Sequence, residues 1–368
     1  MSGTSSASTA GVSARDQVTA EWLGNVLGEA GFDRPRVRGF SIAPVGTGQA
    51  AEACRILLEY DDPHPDLPRS MVAKFPSDNP ASRQSATQGG IYMREVRFYQ
   101  DMQAQCTIKT PRCYHAWIEG NGPEFALLLE DLAPASQGDQ IAGCDEHVAR
   151  KAVLELVGLH APTWGKTALL EADWLSYASA PDRAKWVMAQ IYKKGLPHFM
   201  ERCAGGLEPE EVRLMERLAQ VEDYPSEFPR LKTWCINHND FRLDNFLIDE
   251  SRTPMALDVV DWATVGAGNP MRDMSYFLGG CLLPDQRLAL EKGLVGEYHD
   301  ALTAAGVSDY SWEACWSDYR QSSFHGLMNA VAAMVFVTRT ERGDKLFTVM
   351  AQRHLRQALE LGAEEFVR

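Results

Sequence analysis

Three polar residues close together in the chain could do chemistry as a group. The segment from Cys235 reads Cys-Ile-Asn-His-Asn-Asp-Phe-Arg-Leu-Asp-Asn. His238 and Asp240 stand two apart, and Asn245 follows five after Asp240. Further on, Asp261 ends the apolar run 256–260, which only Asp258 interrupts. Carboxylates between apolar flanks are costly unless they have partners or a metal. Magnesium-assisted phosphoryl transfer needs few protein groups. They are a carboxylate near the acceptor hydroxyl, hard oxygen ligands for the metal, and a cation for the phosphates. Asp240 and Asn245 lie at the two ends of one short loop. The carboxylate can therefore face an acceptor while the amide oxygen faces a metal, and Asp261 supplies a second hard ligand.

These residues need elements to hold them. At 368 residues and 45% hydrophobic, the chain suggests two lobes with a sizeable core. Residues 16–32 read as an amphipathic helix, with Val18, Trp22, Val26 and Leu27 on one face. A β-rich region follows, in which Gly46-Thr47-Gly48-Gln49 interrupts two strands. Such a turn can put backbone N–H groups against a phosphate, or can simply close a hairpin. The strand over 69–75 carries one lysine, Lys74, which could reach phosphates or lie along an edge. Residues 77–88 are polar and loop-like, and 90–102 read as a helix carrying Glu95. Strands over 111–117 and 125–129 precede a connector around Pro134. Beyond it the chain is mostly helical, with short strands near 234–237, 246–248 and 255–260. Long helices are expected over 284–305, 312–337 and 341–361.

Composition excludes some functions. Lys plus Arg is 36 and Asp plus Glu is 50, a net charge of −14. That is a poor basis for nonspecific binding to nucleic acid or an anionic membrane. The eight cysteines form no Cys-x-x-Cys and show no zinc spacing, which reads as reduced thiols in a cytoplasm. The first residues are rich in Ser, Thr, Ala and Gly without an apolar core. They are expected to be a disordered tail rather than a signal peptide. No apolar run approaches the ~18 residues of a membrane span.

His238-x-Asp240-x-x-x-x-Asn245, followed by Val-Val-Asp261-Trp, resembles the aminoglycoside phosphotransferase and choline kinase family. These are small-molecule kinases of the protein-kinase-like fold. The nearest likeness is to the ecdysteroid-kinase-like and bacterial phosphotransferase branch. The resemblance covers nearly all of the chain from about residue 36, and Gly268-Asn-Pro-x-x-Asp273 continues it. Asn239 departs from the His-Gly-Asp of most antibiotic kinases and matches the form that choline and ethanolamine kinases tend to carry.

The resemblance implies an α+β two-lobed fold. It has a tail over 1–15, an N-terminal lobe over 16–128, a hinge over 129–134 and a helical lobe over 135–368. It implies Asp240 as catalytic base, with Asn245 and Asp261 as ligands of Mg²⁺. Lys74 would bind the ATP phosphates with Glu95 as its partner, under a loop of Gly46, Thr47, Gly48 and Gln49. The backbone of Leu129, Glu130, Asp131 and Leu132 would bind adenine. His238 and Asp273 would brace the loop, and Arg242 could reach the γ-phosphate. The acceptor would be a small molecule with a hydroxyl, met by Trp312, Trp316, Tyr319 and His325. The spacing of Trp312, Trp316 and Tyr319 also fits core packing. A catalytically silent nucleotide-binding protein of the same fold, and an aminoglycoside or choline-type kinase specifically, remain alternatives. Neither the oligomeric state nor the choice of ATP over GTP can be read from the sequence.

Overall fold

The computed structural model describes residue 9 and residues 11–33, 35–46, 50–176, 183–222, 233–336 and 339–367. The chain divides into two compact units, Met1–Ala104 with Thr110–Pro134, and Gln105–Lys109 with Ala135–Arg368.

The first unit is built on a five-stranded antiparallel sheet of order β1-β2-β3-β5-β4. Its strands are β1 (Val37–Pro44), β2 (Ala51–Tyr60), β3 (Ser70–Pro76), β4 (Cys113–Ile118) and β5 (Phe125–Glu130). Helix α1 (Ala20–Glu29) starts where the Thr19 hydroxyl oxygen accepts from the Trp22 N–H at 3.1 Å. Its Trp22, Leu23, Val26 and Leu27 pack on Cys54, Ile56, Met71, Ala73, Phe75 and Leu128 of the sheet. Leu23, Val26 and Leu27 are fully buried, each stabilising the unit by roughly 1.5–3 kcal/mol. Side chains alternate across a strand, so burying Ala73 and Phe75 toward α1 turns Lys74 to the opposite face. Strand β3 is central, paired with β2 and β5, so Lys74 is not an edge lysine.

Residues 77–88, expected as loop, contain helix α2 (Pro80–Gln88). The Asn79 side-chain oxygen accepts from the N–H groups of Ala81 and Ser82, and Pro80 occupies the first turn. Capping and a preset φ start this helix without an apolar stripe. Helix α3 (Ile91–Arg97) runs on as a π-helical turn over Phe98–Met102.

The second unit is mainly helical, with α4 (Glu146–Thr163), α5 (Asp173–Ser176), α6 (Arg183–Trp186), α7 (Lys193–Cys203) and α8 (Pro209–Leu218). After the loop region come α9 (Met271–Cys281), α10 (Pro284–Ala304), α11 (Trp312–Gln321), α12 (Phe324–Phe336) and α13 (Glu341–Glu360). Every residue of α9 is buried, and it packs against α4, α10, α11, α12 and α13. The helix expected over 312–337 is two helices, because Ser322 and Ser323 interrupt it. The Ser322 N–H ends α11 on the Asp318 carbonyl, and the Ser323 hydroxyl donates to the Arg320 carbonyl.

Two small sheets carry the loop region. In one, β7 (Cys235–Asn237) pairs antiparallel with β10 (Gly266–Gly268), a strand the sequence did not suggest. In the other, β8 (Phe246–Asp249) lies between β6 (Ser136–Gln137) and β9 (Ala256–Val259). Among the described residues, no helix is long and apolar enough to cross a membrane.

Candidate active site

The loop from Asn237 to Asn245 leaves β7 and enters β8, so two short strands fix its ends. Its turn depends on Asn239, which has φ 65°, a left-handed conformation that Asn tolerates better than most residues. That conformation turns two successive N–H groups onto one carboxylate. The His238 N–H donates to Asp273 Oδ2 and the Asn239 N–H to Oδ1, both at 2.7 Å. His160 Nε2 lies 3.4 Å from Oδ2, and Asp273 is wholly buried. Burial works against its charge. The hydrogen bond and field of His160, with His238, outweigh burial and hold the carboxyl below the ordinary carboxylate range.

His238 ties the loop to β9. Its Nδ1 accepts from the Asp240 N–H at 3.3 Å, which leaves the Nε2 proton to the Val260 carbonyl at 3.0 Å. The Val260 N–H in turn donates to the Asn245 carbonyl at 2.9 Å. Asp261 follows at once, with φ 67°, so Asn245 and Asp261 leave the backbone from adjoining places. Asn239 is tied from three further directions. Its Nδ2 donates to the Thr264 carbonyl at 3.0 Å, and its own carbonyl lies 3.3 Å from both His325 Nε2 and Asn329 Nδ2.

Asp240 is held differently. The Tyr276 hydroxyl donates to its Oδ1 at 2.9 Å, and Asn245 Nδ2 donates to its Oδ2 at 2.8 Å. Arg242 Nε lies 3.0 Å from Oδ1 as an ion pair, although its N–H is not aligned for a hydrogen bond. Even so, the Asp240 side chain remains 27% exposed. Arg242 also donates from Nη1 to Asp244 Oδ2 at 3.0 Å. Burial opposes the charge on Arg242. Asp240, Tyr276 and Asp244 outweigh burial and hold the guanidinium above its ordinary range. Gln140 closes the far side, accepting from the Leu243 N–H and donating its own N–H to Asp244 Oδ1, both at 3.0 Å.

Asn245 Nδ2 donates to Asp240 twice, to its carbonyl and to Oδ2, each at 2.8 Å. Its amide oxygen is thereby turned away from Asp240. With the half-buried Asp261 carboxylate, that makes two hard oxygen donors, a set that suits Mg²⁺ completed by phosphate oxygens and water.

In the other unit, Lys74 Nζ meets Glu95 Oε1 at 2.5 Å, with Glu95 only 2% exposed. Glu95 is thus a buried ion-pair partner and not the solvated glutamate that it resembles in isolation. Gly46 has φ 76°, while Thr47, Gly48 and Gln49 lie outside the described residues. Leu129 and Glu130 end β5, and Leu132 follows Asp131. Asp131 is clamped by Arg55 at 2.6 and 3.1 Å and caps the Ala133 N–H at 3.2 Å.

The aromatic candidates separate into two groups. His325 joins the loop through Asn239. Trp312, Trp316 and Tyr319 stack in a ladder on α11, with centroid spacings of 5.8 and 5.3 Å. That ladder faces α10, where Lys292 lies 5.8 Å from the Trp316 ring and the Tyr319 hydroxyl donates to Glu291 at 2.9 Å. Tyr276 was missed as a site residue. Its spacing of three from Asp273 on a helix was a readable sign that both share a face. Gln140 gave no sign, sitting in a polar stretch that reads as linker.

The solved structures give the fold. Ethanolamine kinase of Plasmodium vivax matches over 90% of this chain and 87% of its own, at 7% identity and a TM-score of 0.51. Two likenesses fall below 0.5. An ADP-bound aminoglycoside phosphotransferase is 15% identical over 88% of this chain and 95% of its own, with a TM-score of 0.45. A microcompartment-associated aminopropanol kinase is 13% identical over 95% and 99%, with 0.47. No curated protein matches the sequence. The fold is the protein-kinase-like α+β fold, with an antiparallel sheet in one unit and helices dominating the other. The model of the ecdysteroid kinase-like family matches residues 46–306, which is most of the chain, so the protein belongs to the ecdysteroid kinase-like family.

Proposed function

We propose that this protein is a kinase that moves the γ-phosphoryl group of ATP to a hydroxyl of a small molecule, with Asp240 as the base. One observation carries the reading. Asp240 is fixed by donors on both oxygens yet keeps a partly exposed side chain, and Asn245 beside it turns its amide nitrogen, not its oxygen, to Asp240. In this reading Asp240 Oδ2 accepts the proton of the acceptor hydroxyl as the new O–P bond forms. The bond between the γ-phosphorus and the bridging oxygen breaks, and ADP leaves. Asn245 and Asp261 would hold Mg²⁺, which when bound would supply neutralising charge to the phosphates. Lys74, steadied by Glu95, binds the phosphates. Asp273, His238 and Asn239 keep the loop in shape, and Arg242 is held ready for phosphate by its two carboxylates. The family and the ethanolamine kinase likeness support a small alcohol as acceptor, and the site is proposed to lie in the cytoplasm.

The test is ADP formation from Mg·ATP with a panel containing ethanolamine, 1-amino-2-propanol, kanamycin and an ecdysteroid. We expect turnover with at least one hydroxyl compound and a loss of at least about 100-fold in Asp240→Asn. Nucleotide binding without transfer to any member would favour the catalytically silent alternative.

A further inference from the structure

A carboxylate offers about four acceptor positions. At Asp240 three are taken. Oδ1 faces the Tyr276 hydroxyl at 2.9 Å and Arg242 Nε at 3.0 Å, and Oδ2 accepts from Asn245 at 2.8 Å. The open position is on Oδ2. The final torsion of an aspartate is broad, so rotamer preference does not set the plane of its carboxyl group. Only directional bonds can do so, and the Arg242 contact is not one, because its N–H is misaligned. On Oδ1 the Tyr276 hydroxyl is the aligned donor.

Resting on the kinase reading above, we propose that Tyr276 is the positioning residue of this site. Its hydroxyl occupies Oδ1 and so presents the free lone pair of Oδ2 to the acceptor hydroxyl.

Tyr276 is built for this. It is 1% exposed on α9, the helix that also supplies Asp273. His354 of α13 stacks on its ring at 5.6 Å and 18°, and His325 of α12 meets it edge-on at 5.6 Å and 79°. Burial, and then the charge of Asp240, push the phenol well above its ordinary range, so the hydroxyl keeps its proton and stays a donor. One rigid helix therefore sets both the path of the loop, through Asp273, and the aim of its carboxylate, through Tyr276.

The test replaces Tyr276 with Phe, with 4-methylphenylalanine and with 4-aminophenylalanine. The last two keep the volume of tyrosine, and only the amino variant keeps a donor. Each is assayed with Mg·ATP and the panel compound that the wild type turns over fastest. For Tyr276→Phe and the methyl variant we expect kcat to fall about tenfold, the loss of one hydrogen bond to a charged group. KM for Mg·ATP and the rise in melting temperature on adding Mg·ATP should be unchanged. The amino variant should recover most of kcat. If Phe leaves a hole that unfolds the protein, the methyl and amino pair alone decides. Equal kcat in that pair, or parallel loss of kcat and of Mg·ATP stabilisation, overturns the proposal. Full activity in Asp240→Asn, or no turnover by the wild type, overturns the kinase reading and this inference with it. Loss in Asp240→Asn with no loss in the Tyr276 variants overturns this inference alone.

Discussion

Two carboxylates serve the same loop, and each receives donors on both oxygens. Asp273 is wholly buried, and its partners are backbone N–H groups and a histidine. Asp240 is partly exposed, and its partners are side chains that leave one position of Oδ2 open. On the proposed reading the difference separates a brace from a reacting group. A carboxylate shut away from solvent, as Asp273 is, can meet no substrate and holds structure. A fixed but open one can take a proton. The Trp312–Trp316–Tyr319 ladder sharpens the point. As a pattern it fitted either a substrate pocket or core packing, and its described contacts run into α10 and α13.

Replacing the sealed group should cost stability first. Asp273→Asn puts an amide where two backbone N–H groups need acceptors, and we expect a loss of about 3 kcal/mol in urea unfolding. A variant as stable as the wild type would remove the distinction between the two carboxylates.

Acid should act on the sealed side as well. Burial depresses His354 from 6.5 to about 3 in the fold. The unfolded chain therefore takes up a proton that the folded chain refuses. Stability from this residue is complete above about pH 6.5 and is lost as pH falls toward 3. By pH 5 the loss is about 2 kcal/mol. In His354→Gln the unfolding free energy should fall less steeply between pH 6.5 and 5, whatever its absolute value. An unchanged slope would place the acid sensitivity elsewhere.

The smallest effect is expected at Asn239. Asn239→Ala forces a side chain that resists positive φ into the left-handed region and loses the bond to Thr264, costing about 1 kcal/mol. Asn239→Gly should cost only a few tenths of that. Thermal melting of the two variants decides the order. If both turn over the same acceptor as the wild type, residue 239 serves the backbone. The choice between Asn and Gly there would then say little about the substrate.

Much of this arrangement could be read from the sequence, for identifiable reasons. The motif residues are local, so their spacing survives folding, and the apolar runs mark the strands that flank them. Lys74 could be placed on a strand, but the choice between phosphates and a sheet edge waited on the strand order that puts β3 in the centre. What escaped notice depends on groups far apart in sequence. Gln140 reaches Leu243 and Asp244 across about a hundred residues, and no pattern near it announces that. β10 is three residues, two of them glycine, and exists only because β7 lies beside it. α2 begins on an Asn79–Pro80 cap that a search for apolar periodicity passes over.

The most direct measurement is turnover of Mg·ATP with the best acceptor by Asp240→Asn, taken with its melting temperature. The substitution keeps the size of the side chain, and Asp240 is not part of the sealed brace. The account predicts a melting temperature near that of the wild type, undiminished stabilisation by Mg·ATP and turnover reduced at least about 100-fold. An Asp240→Asn protein that turns over at the wild-type rate would contradict it.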